Sequence, residues 1–219
     1  MERYVKASAF LDDQIAPPLR SLIPPTLRLA YAAADELAKD QPILGVESAR
    51  SNRGRLRSWA CDFAFEKLIQ TGRWPYDYDW APFAQPTGKY LRIRLESSVM
   101  SISLVPDPKC PPRHVKFRAN NALGNPYPFL FEEMNQEEEI KGLPSFVLVH
   151  GHREPEFAHI GMPHPQNRAW LYVTPNLFHL PHVVEAANPN LPPVEAENKD
   201  AIVTLKDEIR KWQRDNKNE

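Results

Sequence analysis

The fold is decided in residues 146–173, which read FVLVHGHREPEFAHIGMPHPQNRAWLYV. Two apolar stretches, 146–149 and 157–162, lie on either side of a short polar segment that contains Pro155. Strand-forming residues that flank such a segment are typical of a β-hairpin. The apolar residues 170–173 follow a second polar segment and predict another strand.

The strand pattern also occurs upstream of the hairpin. Apolar and charged residues alternate over 90–96, as expected for a strand with one buried face. In residues 99–105 the apolar positions have the opposite parity, which places a bulge or a tight turn near Ser97 and Ser98. Residues 114–120 alternate again, and this predicts a further strand.

Helices are predicted on both sides of this region. Prolines precede an alanine-rich segment and predict a helix at about 25–39. A second helix is expected between the N-cap candidates Ser51 and Asn52 and the C-terminal Gly72. Its apolar stripe has the helical spacing i, i+3, i+4, i+7 and consists of Leu56, Trp59, Ala60 and Phe63. A similar stripe predicts an amphipathic C-terminal helix at about 195–214.

The order of the elements indicates the fold class. Helices come first, then strands, then a helix, without the strand–helix alternation of a parallel sheet. We therefore expect an α+β fold with N-terminal helices, a mainly antiparallel twisted sheet at about 90–173 and a C-terminal amphipathic helix. The chain, 1–219, is expected to form a single domain. Its parts are a helical part, an aromatic, proline-containing connector, the sheet and the C-terminal helix: 1–72, 73–89, 90–175 and 195–214.

Composition indicates a folded protein and argues against a membrane-spanning or secreted one. The chain is 42% hydrophobic and 25% charged, which is ordinary for a folded protein. No apolar run approaches the roughly 18 residues that a membrane span needs, and the N-terminus lacks the apolar core of a secretory signal. The two cysteines, Cys61 and Cys110, fit a reducing compartment. The expectation is a cytoplasmic protein without a membrane partner.

Charge is distributed unevenly along the chain. Residues 50–118 contain 13 Lys and Arg against 6 Asp and Glu, a net +7, whereas residues 119–219 contain 9 against 15, a net −6. Such asymmetry indicates an anionic partner. The alternative is that the basic and acidic parts face each other within the fold.

Six cations are candidates for binding phosphate groups. If the predicted strands share one sheet, Arg92, Arg94, Lys116 and Arg118 form a basic stripe on its polar face. Arg53 and Arg57 lie in the first turn of the second helix, where the helix dipole disfavours cations, and this suggests an anion nearby. The other interpretation is that these arginines are simply solvated.

Six of the seven histidines lie between His150 and His182. His150 and His152 are two residues apart on a strand, so their side chains share a face. With a four-residue loop at 153–156, His159 lies opposite His150, and three imidazoles converge to hold a divalent metal such as zinc or manganese. With a three-residue loop His159 falls on the other face, and the triad does not form.

Further residues near the hairpin suggest acid–base chemistry. The candidates for a general base, or for a partner that orients the metal ligands, are Glu154, Glu156 and His164. Without a metal, His150 or His152 would be the base, and an arginine such as Arg153 or Arg168 would hold an anion. Histidines on strands also occur as half-buried side chains with one hydrogen bond, so a purely structural role stays open.

These features support three functional hypotheses. P-loop, dinucleotide-binding and serine-hydrolase motifs are absent. The leading hypothesis is a small intracellular hydrolase, similar to a metal-dependent nuclease or phosphodiesterase, which binds a phosphate-bearing substrate on its basic face. The alternative is a non-catalytic binding module for nucleic acid or a protein partner, using that face or the aromatic segment 74–83. The third is a scaffold or inhibitor that acts through the acidic run 132–139.

Overall fold

A six-stranded mixed sheet, with most of its helices packed against one face, forms the centre of the described part of the chain. The computed structural model describes residues 6–50, 52–83, 88–109, 111–125, 143–151, 154–180 and 199–215. The α+β class predicted from the sequence is confirmed. None of the described helices is both long enough and apolar enough to cross a membrane. The single-domain organisation stays a prediction.

The N-terminal part of the chain forms most of the helical layer. Its helices are α1 (Ala7–Gln14), α2 (Pro17–Arg20), α3 (Ile23–Asp40), α4 (Glu47–Arg50) and α5 (Arg53–Gln70), with a 3-10 turn at Pro42–Gly45. Prolines 24 and 25 lie in the first turn of α3, where a missing N–H costs nothing. Gly72 follows α5 with a φ of 71°, a conformation that glycine adopts without strain. Both predicted helices are confirmed.

The buried stripe of α5 differs from the predicted one. Trp59 is 63% exposed, whereas Ala60 and Phe63 of the predicted stripe are buried, as are Cys61 and Phe65. Alanines of α5 and α3 lie together in the core, and these small side chains let the two helices approach closely. The helical spacing was therefore correct, but the buried face is rotated away from Trp59.

Asp62 on α5 is a carboxyl group in an unfavourable environment. Burial, and secondarily the charge of Glu66, raises the pKa of Asp62 to about 7. Because the folded state favours the protonated form, stability falls as the pH rises from about 4 to 7. We expect Asp62→Asn to stabilise the protein by about 2 kcal/mol at pH 8, a value reduced for partial solvent screening. Urea unfolding at pH 8 and pH 4 checks this, and a pH-independent difference would contradict it.

The strands follow one another across the sheet in sequence order. They are β1 (Asp77–Pro82), β2 (Lys89–Arg94), β3 (Val99–Leu104), β4 (Ser145–His150), β5 (Ala158–Pro163) and β6 (Trp170–Val173). Neighbouring strands are antiparallel except β3 and β4, which run parallel. The predicted turn near Ser97 and Ser98 connects β2 to β3. The hairpin and third strand predicted over 146–173 are confirmed as β4, β5 and β6.

Two segments have a different structure from the one predicted. The aromatic connector contains the edge strand β1, in which Tyr78 and Trp80 pair with Ile93 and Leu91. Residues 114–120 do not form a strand, because most of them belong to helix α6 (Lys116–Ala122). Only Val115 and Phe117 carried the apolar alternation there, and two residues are too few to distinguish a strand from a helix.

The two faces of the sheet have different roles. The face that packs against the helices carries the main core, including Leu91, Ile93, Leu148 and Ile160. On the second face a smaller cluster is formed by Val105, Val147 and Val149, with Phe157 and Trp170 packed against it. Helix α6 is anchored to this second face, because Arg118 donates to Ser103 on β3.

Aromatic side chains and a buried amide position the chain around α6. The Phe117 ring lies 4.1 Å from that of Tyr90 on β2 and 5.1 Å from that of Phe83. Asn125 accepts from the backbone N–H of Ser145 at 2.6 Å and donates to the Pro163 carbonyl at 2.7 Å. These contacts fix α6 and the chain after it relative to β2, β4 and β5.

The C-terminal helix α7 (Lys199–Asp215) confirms the predicted amphipathic helix. Leu205 and Ile209 are buried in the main core. Asp40, at the end of α3, accepts from Lys206 at 2.6 Å and also pairs with Arg210. The helix therefore packs through its apolar face and is held at its side by ion pairs.

Candidate functional site

The register of the β4–β5 hairpin separates the candidate metal ligands. His150 pairs with Ala158, and His159 pairs with Val149. Neither predicted loop length gives this register. Because successive side chains on a strand alternate between faces, His150 and His159 lie on opposite faces of the sheet. The convergence expected from a four-residue loop is therefore wrong, and His152 lies outside the described residues.

Each described hairpin histidine has a structural environment of its own. His150 is fully buried on the core face, and its Nδ1 lies 2.7 Å from the Tyr31 hydroxyl, which donates to the Gly151 carbonyl. Burial lowers the pKa of His150 to about 4. Nδ1 of His159 lies 2.8 Å from the Thr174 carbonyl oxygen. Within the described ranges, no three His, Cys, Asp or Glu side chains are placed to hold a metal ion.

The three predicted acid–base residues do not lie together. Glu154 and Glu156 are exposed in the turn before β5, whereas His164 follows the other end of that strand. A strand of six residues spans roughly 17 Å. A single site therefore cannot contain both the glutamates and His164.

The predicted basic stripe is dispersed, and its β2 arginines are neutralised. Arg92 forms a two-pronged ion pair with Asp79 on β1, and Arg94 also contacts that carboxylate at 2.8 Å. These hydrogen bonds, chiefly from Arg92, hold the pKa of Asp79 below its usual range. Lys116 and Arg118 lie on α6 and not on a strand. The sheet therefore does not present these four cations as one surface.

Of the two α5 arginines predicted to bind an anion, Arg57 already has a carboxylate partner in the same chain. Arg57 donates to Asp35 of α3 at 2.9 Å, and its guanidinium group lies 5.4 Å from the centre of the Tyr31 ring. The anion suggested by Arg57 is therefore a carboxylate of the same chain. Arg53 is exposed at the first position of α5.

A partly enclosed cavity on the second face brings cationic side chains together. Its volume is about 260 Å³, and it lies between residues 111–122 and residues 163–170. Its cationic and imidazole groups are Arg113, His114, Arg118, His164 and Arg168. Of the described residues that line it, none is Asp or Glu. A cavity lined by charges of one sign attracts ligands of the opposite sign.

Arg118 is the most deeply placed of these cations. Its Nη1 donates to the Arg113 carbonyl and its Nη2 to the Ser103 hydroxyl, both at 2.9 Å. Its Nε is buried, and the described residues offer it no partner. Burial lowers the pKa of Arg118 to about 10, so the side chain stays charged at neutral pH. The part of the chain that the structure describes provides no carboxylate for this charge.

His164 has a defined tautomer in the cavity wall. The backbone N–H of Gln166 donates to its Nδ1 at 3.0 Å, so the proton of the neutral ring is on Nε2. The backbone N–H of His164 donates to the Ala169 carbonyl at 3.0 Å and closes the turn. The ring is therefore fixed as a hydrogen-bond donor at Nε2.

Trp170 forms an apolar wall of the same cavity. A Cβ added at Gly161 would lie 2.5 Å from Cζ3 of the indole, so the six-membered ring lies directly over this glycine of β5. Val147 of the second-face cluster also lines the cavity. The cavity therefore combines cationic groups with a flat aromatic surface.

Sequence reasoning identified only part of this site. Arg118, His164 and Arg168 were candidates for separate roles, whereas no role was predicted for Arg113. The sequence feature that could have indicated this cavity is a pair of proline-containing segments, PPRH at 111–114 and PHPQNR at 163–168, each of which carries an arginine and a histidine.

No protein-family model, curated protein or solved structure matches the chain.

Proposed function

We propose that this protein binds a small phosphate-bearing anion in the cavity between α6 and the turn that joins β5 to β6. The observation that carries the proposal is the charge of Arg118, for which the described residues supply no carboxylate. A buried charge without a counter-charge costs several kcal/mol. A bound anion would remove much of that cost, and guanidinium groups match phosphate oxygens in geometry as well as charge.

The surrounding groups support an anionic ligand. Arg113 and Arg168 are exposed in the cavity lining, where they would attract an anion and be screened by salt. His164 adds an imidazole ring to the cavity lining. All these groups donate hydrogen bonds or carry positive charge, which suits the acceptor oxygens of a phosphate.

The proposal retains one of the partners expected from the sequence and alters another. An anionic ligand is retained. Binding of a nucleic-acid strand along the sheet loses its basis, because Asp79 already pairs with Arg92 and Arg94. A protein partner stays a prediction.

Hydrolysis of the bound ligand is the second candidate function. It is favoured by the two imidazoles in the lining, His114 and His164. Since Nδ1 of His164 accepts a backbone hydrogen bond, the exposed ring of His114 is the better placed general base. Hydrolysis of a phosphomonoester to alcohol and phosphate, or of a diester to alcohol and monoester, would support this function if it is lost in His114→Ala while binding is retained. Ligand binding without any hydrolysis would restrict the protein to binding.

The binding proposal is tested by calorimetric titration with inorganic phosphate at pH 7 and low salt. We expect Arg118→Met to weaken binding by about 10- to 100-fold, because charge-assisted hydrogen bonds contribute about 1.5–3 kcal/mol. Arg94→Met is the matched control, since that arginine pairs with Asp79 outside the cavity. Urea unfolding should show that Arg118→Met is folded, because removal of an unpaired buried charge offsets the loss of the hydrogen bonds to Ser103 and to the Arg113 carbonyl.

Two results would contradict this proposal. One is the absence of phosphate binding by the wild-type protein. The other is an equal loss of affinity in Arg94→Met and Arg118→Met, which would show a general effect of net charge and not a site at Arg118.

A further inference from the structure

The cavity is larger than a phosphate group requires. Its volume of about 260 Å³ corresponds to roughly nine water molecules at about 30 Å³ each, whereas phosphate has only five non-hydrogen atoms. Much of the remaining wall is apolar and is formed by Pro111, Pro112, Val115, Val147, Pro163 and Trp170. An anion that fills this cavity therefore carries a less polar body beside its charged group.

The orientation of Trp170 indicates the shape of that body. Three carbons of its six-membered ring, Cζ3, Cε3 and Cη2, lie within 2.9 Å of the position that a Cβ on Gly161 would take. The strand backbone therefore covers one side of the indole, and Trp170 also lines the cavity. A flat aromatic surface beside a cationic group favours a planar, unsaturated ligand part, because such rings stack.

We infer that the cavity binds a nucleoside monophosphate, with its phosphate on Arg118 and its base stacked on Trp170. This inference rests on the proposed function and specifies its ligand. The cavity volume is just below the roughly 300–1,000 Å³ of common small-ligand sites, and because the cavity is only partly enclosed, a nucleoside monophosphate would fill it and extend out on the open side.

The test compares four probes by calorimetry: inorganic phosphate, ribose 5-phosphate, adenosine 5′-monophosphate and adenosine. We expect adenosine 5′-monophosphate to bind about tenfold or more tightly than ribose 5-phosphate, which is the effect of stacking one base. Adenosine alone should bind weakly, because it lacks the charged group. Intrinsic tryptophan fluorescence should change with the nucleotide and not with ribose 5-phosphate.

Substitutions of tryptophans test whether the base of the nucleotide stacks on Trp170. Trp170→Leu should reduce the affinity for adenosine 5′-monophosphate to that for ribose 5-phosphate, while phosphate binding remains. Trp59→Leu is the matched control, because Trp59 is exposed on α5 and does not line the cavity. Trp170→Phe retains an aromatic ring and should keep most of the nucleotide preference, which separates stacking from a loss of folding.

The outcomes distinguish this inference from the proposed function. Equal affinity for the nucleotide and ribose 5-phosphate, both dependent on Arg118, would overturn the inference and leave the anion site in place. Failure of every phosphate-bearing probe to bind the wild-type protein would overturn both. Equal losses in Trp59→Leu and Trp170→Leu would also overturn the inference.

Discussion

Gly161→Ala should destabilise the protein by about 2–3 kcal/mol, the upper part of the range for overpacked interiors. The added methyl group would lie 2.5 Å from Cζ3 of Trp170, well inside van der Waals contact. Gly161 belongs to β5, which is hydrogen-bonded between β4 and β6, so its backbone has little freedom to move. The indole must therefore shift, and its packing against Val147 and Val149 is lost. Urea unfolding monitored by circular dichroism measures the effect.

Two further variants identify the contact responsible. Gly45→Ala is the control for the general effect of adding a methyl group to glycine, since nothing lies within 4 Å of its added Cβ. Gly161→Ala combined with Trp170→Leu should be more stable than the sum of the single effects predicts, by about 1 kcal/mol or more. Strict additivity would show that the indole does not limit this position.

The local pattern of the sequence was sufficient for most strands and long helices. Leu91 and Ile93 alternate with arginines because one side of β2 faces the core and the other does not. The change of parity before Met100 revealed the turn between β2 and β3. Such features depend on neighbours a few residues away, so the sequence expresses them directly.

The direction of β4 is different, because it depends on distant parts of the chain. β4 runs parallel to β3, and the connection between them spans residues 105–144. The sequence of the hairpin does not indicate whether β4 runs parallel or antiparallel to β3 after this long connection. The apolar run of β4 is equally compatible with either direction, so the sequence predicted a mainly antiparallel sheet without indicating that β3 and β4 would run parallel.

The same reason explains the failed basic stripe and histidine cluster. The partner of Arg92 is Asp79, a residue of an edge strand that the sequence pattern did not reveal. His150 and His159 depend on a register in which a shift of one residue exchanges the two faces. The candidate cavity needs two proline-containing segments, more than forty residues apart, to meet over the second face. Contacts between segments so distant in sequence are determined by the tertiary structure and cannot be derived from local sequence patterns.

His150 is expected to make the stability of this protein sensitive to acid. Its pKa is about 4 in the folded protein, against about 6.5 in an unfolded chain. Between these pH values the unfolded chain binds a proton that the folded chain does not. Stability is therefore lost as the pH falls through 6.5 towards 4, by about 3 kcal/mol in total. The buried ring cannot easily accept that proton, because its Nε2 has no partner among the described residues.

Asp62 acts in the opposite direction over the same range, so the wild-type pH profile alone is ambiguous. Its pKa of about 7 means that the folded protein gains stability as the carboxyl group is protonated. We therefore expect the two contributions to be separable only by substitution. Relative to the wild type, His150→Leu should gain about 3 kcal/mol between pH 7 and pH 4, whatever its stability at pH 7. Asp62→Asn should lose stability relative to the wild type over the same interval.

Urea unfolding at pH 4, 5, 6 and 7 measures both differences. The double variant should show a flatter profile than Asp62→Asn, because the titration of His150 is then also removed. Parallel profiles for the wild type and His150→Leu would mean that the imidazole is protonated in the folded state and that its contact with Tyr31 opens. The sign of the difference thus tests whether the structure holds a neutral imidazole in the core, where the sequence alone suggested a metal ligand.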